Sequence, residues 1–337
     1  MHVLPIPGVE LPAMMELPES FTTRTTILED AEEVAALLAA GAFPGSGEAD
    51  MTAEEIRDDW ADIDLAEESV TVVSPDGRIA GYADVVNRSY VSVYGYVHPD
   101  FHGLGIGAYL VGWGEGWTRD HMPRAPEEAR VSVTHYINAR NTAARSLLES
   151  AGYAPVRGTY VMEIQLRDAP PEPQWPEGIT VRTFVPGDEC AVFEAVEDAF
   201  MDVWNRSRGT FERFAGLTER ESFDPSLWFL AMDGDEIAGT VLAKKISGEG
   251  WVDVAGVRRP WRGRGLGLAL LRHAFGEYHR RGVVKAGLSV DAESITGAPR
   301  LYGRAGMHVA SEYVVYQKEL RSGVDLGKRR GLESEPG

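Results

Sequence analysis

The segment Val257-Arg258-Arg259-Pro260-Trp261-Arg262-Gly263-Arg264-Gly265-Leu266-Gly267 combines three features suited to holding phosphate. An apolar, strand-like run ends at Val257. Three glycines then let the backbone approach a ligand closely. A helical pattern begins at Leu266, so unpaired N–H groups and the positive helix end face whatever occupies the turn. Arg258, Arg259, Arg262 and Arg264 add positive charge. The chemistry expected of Val257, Arg262, Gly263, Arg264, Gly265, Leu266 and Gly267 is pyrophosphate binding.

The same pattern occurs earlier, as Val97-His98-Pro99-Asp100-Phe101-His102-Gly103-Leu104-Gly105-Ile106-Gly107. The glycines superpose at a constant offset, which makes His102, Gly103, Gly105 and Gly107 candidate binding residues too. The arginines are gone: His102 stands for Arg262 and Leu104 for Arg264. A glycine triplet by itself also fits a plain strand-to-helix turn or a dinucleotide site. A dinucleotide fold puts such a turn after its first strand, whereas here several strands precede it in both halves.

Asp253 is the second chemical signal. It lies in Trp251-Val252-Asp253-Val254, where a carboxylate is costly to bury unless it faces a cleft or a partner. It reads either as a base or substrate-orienting group or as a structural residue, and its first-half counterpart at fixed offset is Val93. Cys190, the sole cysteine, permits no intramolecular disulfide and fits a reducing cytoplasm. No His or Lys adjoins it, so a buried structural thiol is expected. No Cys/His cluster has metal-ligand spacing, so no metal is expected.

A length of 337 residues suggests about two domains, and 44% hydrophobic with 25% charged residues is ordinary for a globular chain. No run approaches a membrane span, and the N-terminus has no secretory pattern, so a cytoplasmic location is expected. The net charge of −19 argues against a nucleic-acid partner. The acid concentrated from Glu29 to Glu68 reads as a solvated helical face or as attraction for a cationic amine.

Four prolines mark a connector at 167–178. Either side reads alike. The first half predicts a strand at 21–27, helices at 29–40 and 52–60, and strands near 69–74, 79–86 and 90–97. The second predicts a strand at 179–185, helices to about 201 and at 209–219, and strands near 227–232, 236–244 and 250–257. Each half then has the glycine turn, a long helix, another strand, a short helix and a final strand pair. The expected domains are 1–166 and 179–320, with a disordered tail at 321–337.

At these residues the chain resembles the GNAT superfamily of acyl-CoA-dependent N-acyltransferases. Arg262-Gly263-Arg264-Gly265-Leu266-Gly267 matches its R/Q-x-x-G-x-G/A signature. Residues 294–307 resemble its N-x-x-x-A-x-x-L-Y-x-x-x-G-F/M block, with Ser294 in place of Asn and therefore a candidate cofactor-binding residue. The resemblance covers 20–166 and 179–320 and is similar in layout to actinobacterial two-domain acetyltransferases. It implies an α/β fold twice over: a mixed, V-shaped sheet with helices on both faces. The pantetheine arm of acetyl-CoA would insert where two parallel strands splay.

In this family a tyrosine on the short helix often protonates the departing thiolate, and Tyr302 matches it. Alignment on Gly152 and Gly306 puts Leu148 there in the first half, which therefore reads as degenerate. The resemblance implies an acetyl-CoA-dependent N-acetyltransferase acting on a small-molecule primary amine, with Tyr302 and Asp253 catalytic. The alternatives are a non-catalytic acyl-CoA-binding regulator and an aminoacyl-tRNA-dependent peptide-bond former, which the acidic charge disfavours. Trp204, Phe211, Phe214 and Trp228 read as pocket lining or as core.

Overall fold

The computed structural model describes residues 16–325 apart from 47, 49–50, 88–90, 204–207 and 221. Trp204 and positions 326–337 of the expected tail therefore lie outside the described residues. In the first half, β1 (Thr22–Arg24) leads to α1 (Ala31–Gly41), α2 (Ala53–Trp60) and the single turn α3 (Leu65–Glu68). There follow β2 (Ser69–Val73), β3 (Ile79–Asn87), β4 (Val91–Val97), α4 (Ile106–His121), β5 (Val131–Asn138), α5 (Thr142–Ser150) and β6 (Ala154–Gln165). The second half runs β7 (Ile179–Thr183), α6 (Glu189–Ala199), α7 (Phe211–Gly216), β8 (Trp228–Asp233), β9 (Glu236–Ile246), β10 (Glu249–Val257), α8 (Leu266–Arg280), β11 (Lys285–Asp291), α9 (Ala298–Arg304) and β12 (His308–Arg321). Each half ends in one long strand, not the expected pair.

The repeat extends to side-chain detail. Arg24 and Asp30 form a bidentate pair at 2.6 and 2.7 Å, and Arg182 and Asp188 form the same pair at the same spacing. In both copies the aspartate also accepts a backbone N–H at 2.9 Å, from Ile27 or Val185. The pair closes the turn between the first strand and the first helix. Two arginine-bound aspartates there place negative charge at the helix start, where the dipole favours it.

The chain divides into two compact units that differ from the sequence halves. Unit 1 comprises the chain up to Phe43, Glu48–Ala154 and Tyr316–Val324; unit 2 is chiefly Pro155–Val315. Unit 1 has strand order β1-β2-β3-β4-β5, completed by the end of β12. Unit 2 has the start of β12, then β6-β11-β10-β9-β8-β7. The last strand of each half thus completes the sheet of the unit formed by the other half. β6 pairs antiparallel with β11 from Thr159↔Asp291 to Gln165↔Lys285. Arg321, expected to open the tail, is instead the last residue of β12, and its guanidinium donates to the carbonyls of Ala129 at 3.0 Å and Pro126 at 2.6 Å.

Two cores lie on the two sheet faces of unit 2. One joins α8, β11 and α9 through Leu270, Phe275, Leu288 and Tyr302; the other joins α6 to β8 and β9 through Val192, Val196 and Leu230. Phe214 and Trp228 belong to the latter core, with ring centroids 5.7 Å apart. Phe211, 39% exposed, packs at its rim against Phe193. Cys190 is exposed, contrary to expectation. It sits in the first turn of α6, ahead of the stretch from Val192 to Val196 that meets the sheet. No described helix is long and apolar enough to cross a membrane.

Candidate functional site

In unit 2 the path from strand to helix is built in three steps. Pro260 is the second residue of a single 3-10 turn, Arg259–Trp261, with fixed φ where no N–H is needed. Trp261 then anchors it, being buried and donating its indole N–H to Asp233 at 2.8 Å. Finally Gly263 and Gly265 take φ of +74° and +87°, a region costly for other residues. Gly265 is the N-cap of α8, so the N–H groups of that helix's first turn have no partner within it. Gly267 serves packing: a Cβ there would lie 3.1 Å from Leu301 and 3.5 Å from Val257. The turn, the end of β10 and the start of α9 meet around it.

The arginines divide by role. Arg262 donates to the Val257 carbonyl at 2.9 Å and the Ala199 carbonyl at 2.9 Å, and pairs with Asp202 at 2.6 Å. Arg259 also pairs with Asp202, and these two guanidinium hydrogen bonds hold the carboxyl down at a pKa of about 2. Arg258 binds Asp198 at 2.6 Å and the Ile237 carbonyl at 3.1 Å. These three arginines tie the turn to the end of α6. Arg264 is exposed and has no acidic partner among the described residues, which leaves it the freest to meet an anion.

Unit 1 keeps this backbone. Pro99 starts the same 3-10 turn, Phe101 is the buried anchor, and Gly103 and Gly105 take φ of +78° and +86°. His102 Nε2 lies 3.1 Å from the Val97 carbonyl, the contact Arg262 makes to Val257. A Cβ on Gly107 would meet Leu147 at 3.2 Å, as one on Gly267 would meet Leu301. What differs is charge: Leu104 is exposed in place of Arg264. The α5 position matching Tyr302 is Leu148, fully buried.

β10 and β11 pair in parallel only at Gly250↔Ala286 and Trp251↔Gly287. Beyond Val252 the β10 edge toward β11 runs on without strand partners, a row of backbone groups that an extended amide-bearing chain can bond. The pairing of β10 with β9 slips between Val252 and Val254, and Asp253 is the bulged residue. Bulges re-aim side chains. Unit 1 has no bulge there, since Val93 pairs with Val85 in unbroken register. Asp253 therefore has no true counterpart, and Val93 matches it only by sequence offset.

The Asp253 side chain is 45% exposed, with Lys244 Nζ at 3.4 Å. Desolvation still outweighs the charges of Lys244 and Arg220 and raises its pKa above the ordinary value. Tyr278 locks the strands beside it. Its hydroxyl donates to the carbonyls of Lys244 at 2.7 Å and Trp251 at 2.9 Å, and its ring fills the space a Cβ on Gly250 would need. Lys244, Arg220, Asp202 and Tyr278 carried no local signal, because strand pairing and helix packing bring them in.

Tyr302 is buried in the core that includes Leu266 and Trp261, and burial pushes its hydroxyl up to about 12. The phenol is thus protonated at neutral pH, the state a proton donor needs, and its oxygen has no hydrogen-bond partner among the described residues. Ser294 sits three residues before Gly297, the N-cap of α9, and its hydroxyl shares a hydrogen bond with Thr296 at 2.9 Å. It does not cap the helix, whereas Asn141 caps α5 by accepting the Ala144 N–H at 3.0 Å. No described group of side chains could hold a metal ion.

A mixed sheet with a splayed parallel pair, a glycine turn feeding a helix, and a bulged strand beside it defines the class of acyl-CoA-dependent acetyltransferases. The chain belongs to the GNAT acetyltransferase family: residues 191–307 match the family directly. It is 33% identical over 259 residues to a protein named mycothiol acetyltransferase of Streptomyces bingchenggensis, covering 73% of this chain and 79% of that one. A protein of the same name from Streptomyces scabiei is 32% identical over 251 residues, 72% of this chain and 77% of that one. Among solved structures, a GCN5-related N-acetyltransferase from Sphaerobacter thermophilus is 53% identical, with TM-score 0.80, covering 93% of this chain and 99% of that one. A tandem GNAT protein from the clavulanic acid biosynthesis pathway shares the fold at 15% identity, with TM-score 0.64 over 90% of this chain and all of that one.

Proposed function

We propose that the protein transfers an acetyl group from acetyl-CoA to a primary amine on a small molecule, by direct attack, in unit 2. The observation that carries this reading is the layout of one strand pair: β10 parts from β11 after Trp251, bulges at Asp253 and leads into the glycine turn, and Tyr302 lies on the helix that follows β11. The turn and Arg264 would hold the pyrophosphate. The free β10 edge would take the pantetheine arm. Asp253 would remove a proton from the acceptor ammonium, directly or through water, and the amine would attack the thioester carbonyl. Collapse of the tetrahedral intermediate expels the thiolate, which Tyr302 would protonate. Unit 1 lacks the tyrosine, the bulge and the arginines, and we assign it no transfer step.

The relatives named mycothiol acetyltransferase place mycothiol-type amines first among acceptors to try. The test is thiol release from acetyl-CoA with those amines, aminoglycosides, polyamines and peptides. With an acceptor in hand, Tyr302→Phe should lower kcat by ~10²–10⁴-fold and leave acetyl-CoA affinity nearly unchanged, because the hydroxyl acts only as the thiolate leaves. An unchanged kcat, with chemistry shown to be rate-limiting, removes Tyr302 from the mechanism. Absence of thiol release with every acceptor, alongside tight acetyl-CoA binding, would favour a regulatory binding protein instead.

A further inference from the structure

The α1–α2 side of the unit 1 sheet carries a carboxylate that its fold does not require. Asp84 of β3 is the register partner of Tyr94 of β4, so their side chains share a face. Its Oδ2 accepts the Tyr82 hydroxyl at 2.7 Å, and that hydroxyl in turn accepts the Trp60 indole N–H at 2.7 Å. Its Oδ1 is buried and has no hydrogen-bond partner among the described residues. Burial above all, with the nearby charges of Asp59 on α2 and Glu68 on α3 adding to it, raises its pKa to about 7. A buried carboxylate oxygen without a hydrogen bond is costly, and a ligand that donates to it would relieve that cost.

Unit 2 supplies an internal comparison. Leu242 of β9 lies three residues beyond Gly239 and pairs with Val254, just as Asp84 lies three beyond Gly81 and pairs with Tyr94. The fold therefore accepts leucine there, and an apolar side chain would avoid the cost of desolvating a carboxylate. Beside Asp84 in unit 1, on its register partner, is an aromatic ring. Tyr94 stacks on Tyr136 of β5, with centroids 5.9 Å apart and planes 7° from parallel. Aromatic faces next to a buried carboxylate suit a cation with an apolar body.

We propose that unit 1 holds a site for an organic ammonium ion, with the free oxygen of Asp84 as its counter-charge and the Tyr94–Tyr136 stack alongside. The ammonium would donate to Oδ1, while Tyr82, oriented by Trp60, holds the other oxygen. The hydrocarbon part of the ligand would lie against the tyrosines. The acid of the surrounding helices, Asp59 and Glu68, would draw cations toward it. The site is separate from the transfer chemistry assigned to unit 2 and does not depend on that assignment.

The test is isothermal titration of the full chain with n-butylammonium and 1,4-diaminobutane, with n-butanol as the uncharged control. Asp84→Asn keeps the shape and the Tyr82 hydrogen bond but removes the charge. It should weaken both amines at least tenfold, while Asp253→Asn, which alters the unit 2 cleft, should leave this binding in place. Asp84→Leu copies the residue found in unit 2 and serves the same comparison if the asparagine variant does not fold. It should lose amine binding and melt no lower than wild type. The proposal is overturned if butanol binds as tightly as butylammonium, if both Asp84 variants keep wild-type affinity, or if amine binding is lost on Asp253→Asn alone.

Discussion

The roles proposed for Asp253 and Tyr302 need opposite protonation states, and desolvation serves both. Desolvation raises the carboxyl pKa, making it a better proton acceptor once ionised, and raises the phenol to about 12, keeping its proton in place. The folded-state pKa of Asp253 lies above 3.8, so activity carried by its ionised form should fall as pH drops through that raised value. A profile of kcat/KM against pH should show this acidic limb, and Asp253→Asn should lower the rate about 10²-fold or more and abolish the limb. A limb that persists in the variant would assign it to another group. The arginines are distinguished in the same way. Arg264→Ala should weaken acetyl-CoA binding with Tm unchanged, because its side chain is exposed and ties nothing down. Arg262→Ala should lower Tm as well, because its guanidinium bonds Val257, Ala199 and Asp202. Equal effects of the two changes on Tm would sink this division.

At the scale of elements, the turn depends on backbone conformation before charge. Its two copies differ at Arg262/His102 and Arg264/Leu104, yet their glycines hold φ values within a few degrees of one another. A residue with a Cβ costs about 1–2 kcal/mol in that region. Gly265→Ala should therefore lower Tm by a few degrees, and by tilting the first turn of α8 it should weaken acetyl-CoA binding more than the stability loss accounts for. Space is not the obstacle, since nothing lies within 4 Å of the added Cβ. A variant with unchanged Tm and unchanged affinity would show that the positive φ is not needed. The bulge at Asp253 belongs to this scale too: one extra residue in β10, with Tyr278 bridging the strands, sets where the carboxylate points.

For the whole molecule, the final strands matter most. Unit 2 needs β6, which comes from the first half, to cover the edge of β11. A fragment cut at the proline connector, 176–337, would lack it and expose an unpaired strand edge, a template for aggregation. A fragment of 155–325 keeps the strand. The second should be soluble with a cooperative melt, and the first should aggregate or fail to melt cooperatively. Equal behaviour of the two fragments would mean that β6 adds nothing to unit 2.

The sequence alone determined the duplication, the order of nearly all elements, both glycine turns and the family. Those features are local: periodicity of side chains, glycines that force positive φ, prolines that end pairing, and a spacing repeated at a fixed offset. Asp253 and Tyr302 were visible for the same reason, one as a charge in an apolar strand and the other as a position in a motif. Only the tertiary structure decided what each was next to. It bound three of the four arginines to the turn or to α6, placed Asp253 in a bulge, turned Cys190 outward, and assigned the last strand of each half to the other unit. It also left one oxygen of Asp84 unpaired within a cluster whose members lie on α2, α3, β3 and β4. Pairing across strands and packing of helices on a sheet join residues far apart in the chain, and no local pattern in the sequence encodes which ones will meet.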